Sequence, residues 1–184
     1  MIIIDNFVQD QVLIDDIIHD KDFFGPNGDF MWWDGWWNSG ANSNKKRLIE
    51  YLWRYHSPDE SYDISGFEYW TGVYGDGHPN TSLGLHKDKD ELLYKRTGEL
   101  VKPEIGTVFY PMSTEFEGGY LEIERANGEV ERIEPKFNRL VIFNAGDDAH
   151  QVTKVTNGVR YAIAINLWKT VPVAVQEGLM TIEK

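Results

Sequence analysis

The sequence predicts a mainly β domain with flanking helices, folded as a jelly-roll barrel, and three observations carry that expectation. Helical periodicity is confined to the first third of the 184-residue chain. About eight short strand-like runs, separated by turn residues, follow from residue 67 onward. No repeat, low-complexity stretch or linker divides the chain. Residues 1–184 are therefore expected to form one domain, with helical support over about 9–56 and a barrel core over about 67–168. Helices first and strands afterward is the order in which helices pack on one side of an antiparallel β structure.

Residues 2–8 read as a short apolar strand. Over 9–20, Val12, Leu13 and Ile17 recur at helical spacing with Asp16 and Asp20 between them, which makes an amphipathic helix. A loop rich in Gly, Asn and Trp spans 23–42 and contains Met31-Trp32-Trp33-Asp34-Gly35-Trp36-Trp37. It is expected to be core or a lid over the sheet, with an aromatic wall of a substrate groove as the alternative. Ser43 can cap a second helix over 43–55, where Leu48, Ile49, Leu52 and Trp53 form the apolar stripe, and Pro58 stops it. Strands are expected over 67–74, 82–88, 105–113, 119–124, 129–134, 139–144, 150–155 and 159–168. Asn127-Gly128 supplies a hairpin turn, and Thr156-Asn157-Gly158 reads as another just before the last strand. Gly118-Gly119 reads as a tight turn or bulge at the barrel rim.

Composition narrows the function classes. A hydrophobic fraction of 41% and an aromatic fraction of 14% belong to a folded chain, not a disordered one. The net charge of −12 repels phosphate backbones, so nucleic acid is not an expected partner, while a neutral or cationic peptide is compatible. The absence of cysteine rules out disulfide frameworks, thiolate metal sites and cysteine nucleophiles. No apolar run approaches the roughly 20 residues of a membrane span. Asp5 interrupts the apolar start and no basic flank precedes it, so it does not read as a signal peptide, and the expected location is cytoplasmic with no membrane partner. Nothing in the pattern sets the oligomeric state.

Two histidines and one carboxylate can occupy one face of an octahedral iron and leave the opposite face open. His86-Lys87-Asp88 followed by His150 offers that set, and Arg160, ten residues later, offers a cation for an acidic cosubstrate. Among 5 histidines and 30 acids an isolated His-x-Asp is unremarkable, so strand phase matters. Side chains alternate faces along a strand, which puts Ser82, Gly84, His86 and Asp88 together, two candidate ligands beside small neighbours. On the last strand Arg160, Ala162, Ala164 and Asn166 share one face, opposite Val159, Tyr161, Ile163, Ile165 and Leu167. An arginine rising from alanines needs an anion or solvent, because an unpaired buried cation is costly. A dicarboxylate would fit the fork of its guanidinium. Tyr110, on a face with Val108 and Met112, could hydrogen-bond the same carboxylate. His19, His56 and His78 read as ordinary polar residues, and Lys87 and Lys89 as solvated. Asp147 and Asp148 read as turn residues, with orientation of His150 as the alternative.

Taken together, these residues resemble the prolyl-4-hydroxylase branch of the 2-oxoglutarate/Fe(II) oxygenases. The resemblance runs from Tyr69 to Trp168: Tyr74, His86-Lys87-Asp88, Phe109-Tyr110, Glu117-Gly118-Gly119, Val141-Ile142-Phe143, His150, then Gly158-Val159-Arg160-Tyr161-Ala162-Ile163. Ile2-Ile3-Ile4-Asp5-Asn6-Phe7 is similar to the opening strand of that branch. The resemblance implies a double-stranded β-helix, a cupin-like jelly roll, with Fe(II) held by His86, Asp88 and His150. It implies 2-oxoglutarate with its distal carboxylate on Arg160 and Tyr110, O2 as cosubstrate, and ascorbate as a reductant. The implied reaction is hydroxylation of an unactivated C–H bond, a prolyl residue in a peptide or protein, with release of succinate and CO2. A free amino acid or another small molecule would use the same core. Two departures bear on substrate more than on cofactor: Pro111-Met112-Ser113 replaces the usual Leu-Asn/Asp, and the segment from Asp88 to Ile105 is long and charged.

Two other classes were weighed. A cupin-like barrel that binds metal or a small ligand without turnover has no use for Arg160. A nucleic-acid demethylase on the same fold conflicts with the charge of −12 and the lack of a basic stripe.

Overall fold

The computed structural model describes residues 1–25, 30–54, 63–125 and 127–182. In chain order the elements are β1 (Ile2–Ile4), α1 (Gln11–His19), β2 (Met31–Trp33), α2 (Asn44–Arg54), β3 (Gly66–Gly75) and β4 (Leu83–His86). Then follow α3 (Glu91–Thr97), β5 (Ile105–Tyr110), β6 (Phe116–Gly118), β7 (Leu121–Glu124), β8 (Val130–Ile133) and β9 (Arg139–Phe143). The chain ends with β10 (Ala149–Val152), β11 (Val155–Trp168), α4 (Val173–Gln176) and β12 (Thr181–Ile182).

The strands form two sheets. One runs β1-β9-β5-β11-β3-β2-β12, with β6 also paired to β11, and the other runs β4-β10-β7-β8. Every pairing is antiparallel except β12 with β2. The sheets share no strand, so the double-stranded β-helix is an open jelly roll, not a closed hydrogen-bonded cylinder.

Strand parity decides where the core sits. The odd residues of β11, Ile163, Ile165 and Leu167, join Phe67, Tyr69 and Phe109 in a core with Leu13, Ile14 and Ile17 of α1 and Leu48, Ile49 and Leu52 of α2. The helices thus cover the outer face of the large sheet. Between the sheets lies a second cluster, in which Val108, Tyr110, Val141, Phe143 and Ala162 meet Leu121, Ile123 and Ile133. The even residues of β11 face this interior, and there the site is built.

Both long helices begin as their sequences dictate. Asp10 caps α1 by accepting the amides of Val12 at 3.0 Å and Leu13 at 3.1 Å. Ser43 accepts the amide of Lys46 at 3.3 Å at the start of α2, and the expected stop at Pro58 lies outside the described residues. The long charged segment between Asp88 and Ile105, to which no element was assigned from the sequence, contains α3. Its signals were a cap, Asp90, whose carboxylate accepts the Leu93 amide at 3.0 Å, and Gly98 at its left-handed end.

Several expectations are corrected. Thr156-Asn157-Gly158 is not a hairpin turn: β11 runs unbroken from Val155, and β10 belongs to the other sheet. Gly158 takes φ +71° within the strand, opposite β6, where a Cβ would stand 2.2 Å from the Glu115 carbonyl oxygen. The glycine marks a bulge that lets β11 bend between two partners. The strand expected over 82–88 ends at His86, so Asp88 approaches from a connection, not from the strand face. Pro111, which lacks an N–H, ends β5 after Tyr110. The Asn127-Gly128 hairpin does join β7 to β8, and Gly118 and Gly119 turn the chain between β6 and β7 with φ of +80° and +65°. Two tryptophans of the tryptophan-rich stretch, Trp32 and Trp33, are core, while Trp36 is half-buried and Trp37 exposed. Trp33 is buried against Phe67 on one side of the sheet and Trp32 against Trp168 and Val175 on the other. Among the described residues no helix is long and apolar enough to cross a membrane.

Candidate active site

Antiparallel pairing of β4 with β10 sets His86 directly opposite His150, their ring centroids 4.2 Å apart. Each imidazole is anchored through Nδ1 to a backbone carbonyl, His86 to Gly84 at 2.8 Å and His150 to Asp148 at 3.1 Å. A carbonyl only accepts, so both rings carry the proton on Nδ1 and turn the Nε2 lone pair inward. The two Nε2 atoms lie 3.4 Å and 3.7 Å from the same oxygen, Asp88 Oδ1. Asp88 is brought there by the turn after β4, where its amide donates to the Ala145 carbonyl at 2.9 Å. The three ligand atoms all lie within 4.8 Å of one another, and both Nε2–Oδ1 separations fall inside the roughly 4 Å that two metal bonds of about 2 Å can span.

The charge states suit a metal. Burial opposes the ionised form of Asp88, but the hydrogen bonds from His86 and the Asn166 amide outweigh it and hold the carboxyl below its usual range. Burial lowers His150 despite the nearby Asp88 charge, so the ring is neutral, as a ligand must be. Burial also opposes the charged form of His86, but its bonds to Asp88 and Gly84 prevail and raise it, so this ring favours a second proton on Nε2 that a metal would have to displace.

The second oxygen of Asp88 is not left for metal. Asn166, buried on β11, donates its side-chain amide to Asp88 Oδ2 at 2.9 Å. The sequence placed Asn166 on the Arg160 face, yet no local pattern reveals a bond across 78 residues. Asp147 and Asp148 do not orient His150 with their carboxylates. The first is held by Lys102 and Asn144 and the second by Arg125; only the Asp148 backbone reaches the ring. Because outer hydrogen bonds of this kind tune ligand geometry, Asn166→Ala is expected to weaken Co(II) or Fe(II) affinity roughly 10- to 100-fold, measured by direct titration. An unchanged affinity would show that Asp88 needs no such support.

Deeper between the sheets, Arg160 is 2% exposed. Its Nη2 donates to the Tyr110 hydroxyl at 3.3 Å, and its guanidinium lies 5.1 Å from the Tyr110 ring centre and 5.6 Å from that of Tyr74. Its Nε has no partner, and no carboxylate pairs with it among the described residues. Gly119 makes room for it: a Cβ there would come within 2.9 Å of Arg160 Cδ. Burial pushes the Tyr110 hydroxyl up against the lowering influence of Arg160, so it stays protonated and can donate. A buried cation, a spare N–H and a protonated hydroxyl converge on one missing partner, a carboxylate.

The metal-ligand cluster opens into a groove of about 1040 Å³ whose lining includes Phe30, Glu68, Trp70, Tyr74, His86 and Asp88. The rings that wall it include Phe30 and Trp70, 4.7 Å apart between centroids, but neither Trp32 nor Trp33. Glu68, on the same strand as Trp70, accepts the indole N–H of Trp168 at 3.1 Å. Burial, reinforced by the charge of Asp88, raises its carboxyl from 4.5 to about 7. Between pH 4.5 and 7 the folded protein therefore keeps a proton that the unfolded chain has lost, and stability falls as pH rises through that window. Metal-free Glu68→Gln is expected to lose this slope and to be more stable at pH 8 by on the order of 2 kcal/mol. Denaturant titrations across the window measure it, and parallel wild-type and variant curves would contradict it.

An open jelly roll that gathers two histidines and a carboxylate from adjoining elements offers a set of ligand atoms that could hold one metal ion. Residues 69–168 match the family model of the 2OG-Fe(II) oxygenase superfamily, and the chain belongs to that superfamily, whose cofactor set is Fe(II), 2-oxoglutarate and O2. No curated protein matches it in sequence. The fold is similar to that of a viral collagen prolyl hydroxylase from Paramecium Bursaria Chlorella virus-1, solved with 2OG. Identity is 16% and the TM-score 0.56, over 92% of this chain and 96% of that one. It is equally similar to a prolyl hydroxylase from Trichoplax adhaerens, solved in complex with a hypoxia inducible factor oxygen degradation domain peptide fragment. Identity is again 16% and the TM-score 0.56, over 91% of this chain and 83% of that one. A Pseudomonas putida prolyl-4-hydroxylase aligns over 68% of this chain at 19% identity and a TM-score of 0.46, and the match spans 61% of that protein. The shared fold is that of prolyl-hydroxylase-like oxygenases.

Proposed function

We propose that residues 1–184 act as one oxygenase domain that hydroxylates an unactivated C–H bond in a peptide, with a prolyl residue as the first substrate to test. The observation that carries the cosubstrate assignment is Arg160, buried with no counter-ion among the described residues, in the interior behind the His86, Asp88 and His150 cluster. A barrel that only stored metal would have no reason to bear that cost. His86, Asp88 and His150 would hold Fe(II), leaving one face open, and Arg160 with Tyr110 would hold the far carboxylate of 2-oxoglutarate. Bound there, iron and 2-oxoglutarate supply the activation of O2 that ends in succinate and CO2.

The chain's own part is positional. Gly84 and Asp148 carbonyls fix the two imidazoles, and Asn166 holds the outer oxygen of Asp88 so that Oδ1 faces the ion. The Arg160 fork and the Tyr110 hydroxyl set the direction in which the cosubstrate enters. The apolar cluster of Val108, Leu121, Ile123, Val141 and Ala162 keeps water from the interior. The groove beside His86 and Asp88 is large enough for an extended peptide segment, and the Trichoplax adhaerens enzyme was solved with a peptide.

The test is anaerobic addition of Fe(II) and then 2-oxoglutarate, followed through the visible metal-to-ligand charge-transfer band. In air, succinate release should rise when proline-containing peptides are added. A correctly folded, metal-bound protein without the band would overturn the assignment. A band with no response to any prolyl peptide would overturn only the substrate.

A further inference from the structure

Resting on that reading, we propose that Glu68 forms a subsite for an organic cation, the ammonium or guanidinium group of the substrate, in the groove beside the metal-ligand cluster. Glu68 lies on β3 directly opposite Asn166 of β11 and lines the groove with His86 and Asp88. Its hydrogen bond comes from a neutral donor, the Trp168 indole at 3.1 Å. Such bonds orient a carboxylate without cancelling its charge. Among the described residues no lysine or arginine forms an ion pair with it. The groove's own lysines are placed otherwise: Lys87 and Lys95 are exposed, and Lys89 is held by Glu91 at 2.6 Å. Asp90, also on the groove wall, uses its oxygens on the backbone amides of Leu93 at 3.0 Å and Val173 at 2.7 Å, and adds negative charge without adding a cation.

The surroundings suit a cation rather than a metal. Trp70 stands two residues along the same strand face, Phe30 packs on it at 4.7 Å, and Trp168 holds the carboxylate itself. Aromatic faces attract ammonium and guanidinium groups, and a carboxylate beside them adds a directional partner. The net charge of −12 draws such ligands toward the protein. Asn166, the register partner of Glu68 on β11, holds Asp88, so a cation on Glu68 would sit close to the carboxylate proposed as a metal ligand. Two sources share this chemistry: a free basic amino acid, or a lysyl or arginyl residue flanking the reacting residue of a peptide.

The test uses the full chain loaded with Mn(II) and 2-oxoglutarate, which binds without turning over. Its arms are free L-lysine and L-arginine against L-norleucine, and a capped proline-containing pentapeptide bearing lysine against the same peptide bearing norleucine. In one of the two sets the cation should bind at least about tenfold more tightly than its neutral counterpart. The gap should narrow with added salt, vanish in Glu68→Gln and survive in part in Glu68→Asp. The set that shows it identifies the source. Equal affinities, no cationic arm that binds, or a gap that persists in Glu68→Gln would overturn the subsite. The Fe(II)·2-oxoglutarate band separates the readings: present without a cation preference, it leaves the cosubstrate assignment standing and removes only the subsite. Absent from wild type, it removes both.

Discussion

Arg160→Met is expected to yield a protein that is more stable than wild type without ligands and blind to 2-oxoglutarate. In the free protein Arg160 carries its charge at 2% exposure, with an orphaned Nε and no carboxylate partner among the described residues. The two tyrosine rings and one hydroxyl recover part of the lost hydration, but a buried charge without a counter-ion remains costly. Methionine fills similar space without that cost, so stability should rise by on the order of 1–3 kcal/mol. The ligand tells the opposite story. Removing one side of a buried charge pair costs about 2–5 kcal/mol, roughly 30- to 4,000-fold in affinity. Calorimetric titration of 2-oxoglutarate into Mn(II)-loaded protein, beside a denaturant curve of the free protein, reads both effects. A variant that is destabilised and still binds would place the cosubstrate elsewhere.

The second large effect is on the metal. Asp88→Ala removes the oxygen that both Nε2 atoms face, at 3.4 Å and 3.7 Å. Two neutral imidazoles remain, and the loss should exceed the roughly 100-fold that an outer hydrogen-bond partner can cost. Wild type at a hundredfold excess of metal over Kd should gain about 2.7 kcal/mol of stability, and Asp88→Ala almost none. Asn166→Ala should fall between them. The free variant also leaves the Asn166 amide without its acceptor, a penalty of about 1–3 kcal/mol that separates damage to the fold from loss of metal. Thermal denaturation with and without metal distinguishes the two, and metal stabilisation that survives in Asp88→Ala would remove Asp88 from the ligand set.

Much of this arrangement was legible in the chain because strands carry a period of two. Parity alone put Arg160, Ala162, Ala164 and Asn166 on one face of β11, and the ordered triplet of His86, Asp88 and His150 picked out side chains that the fold brings within 4.8 Å of one another. Parity failed where the backbone left the sheet. Asp88 lies beyond the end of β4, and Gly158 bends a continuous strand where a turn was expected. The short elements β2, β6, β12 and α4 were missed because runs of two to four residues carry too little periodicity to stand out. In the case of α3 the signals were present, Asp90 and Gly98, but its seven residues bury none of their side chains and show no apolar stripe.

The sequence by itself determined the class: two helices ahead of a jelly roll, a His-x-Asp pair with a distant histidine, and an arginine on an alanine face. Those are local properties, set by side-chain chemistry and backbone period. Only the tertiary structure decided that Asn166 holds Asp88 and that backbone carbonyls rather than Asp147 or Asp148 aim the histidines. It also decided that Glu68 lines the groove with no lysine or arginine paired to it among the described residues, and that Trp32 and Trp33 belong to the core. Each of these depends on which strands become neighbours. Strand neighbours are chosen by the burial of whole faces against helices and the opposing sheet, a cooperative outcome that no single stretch of residues encodes.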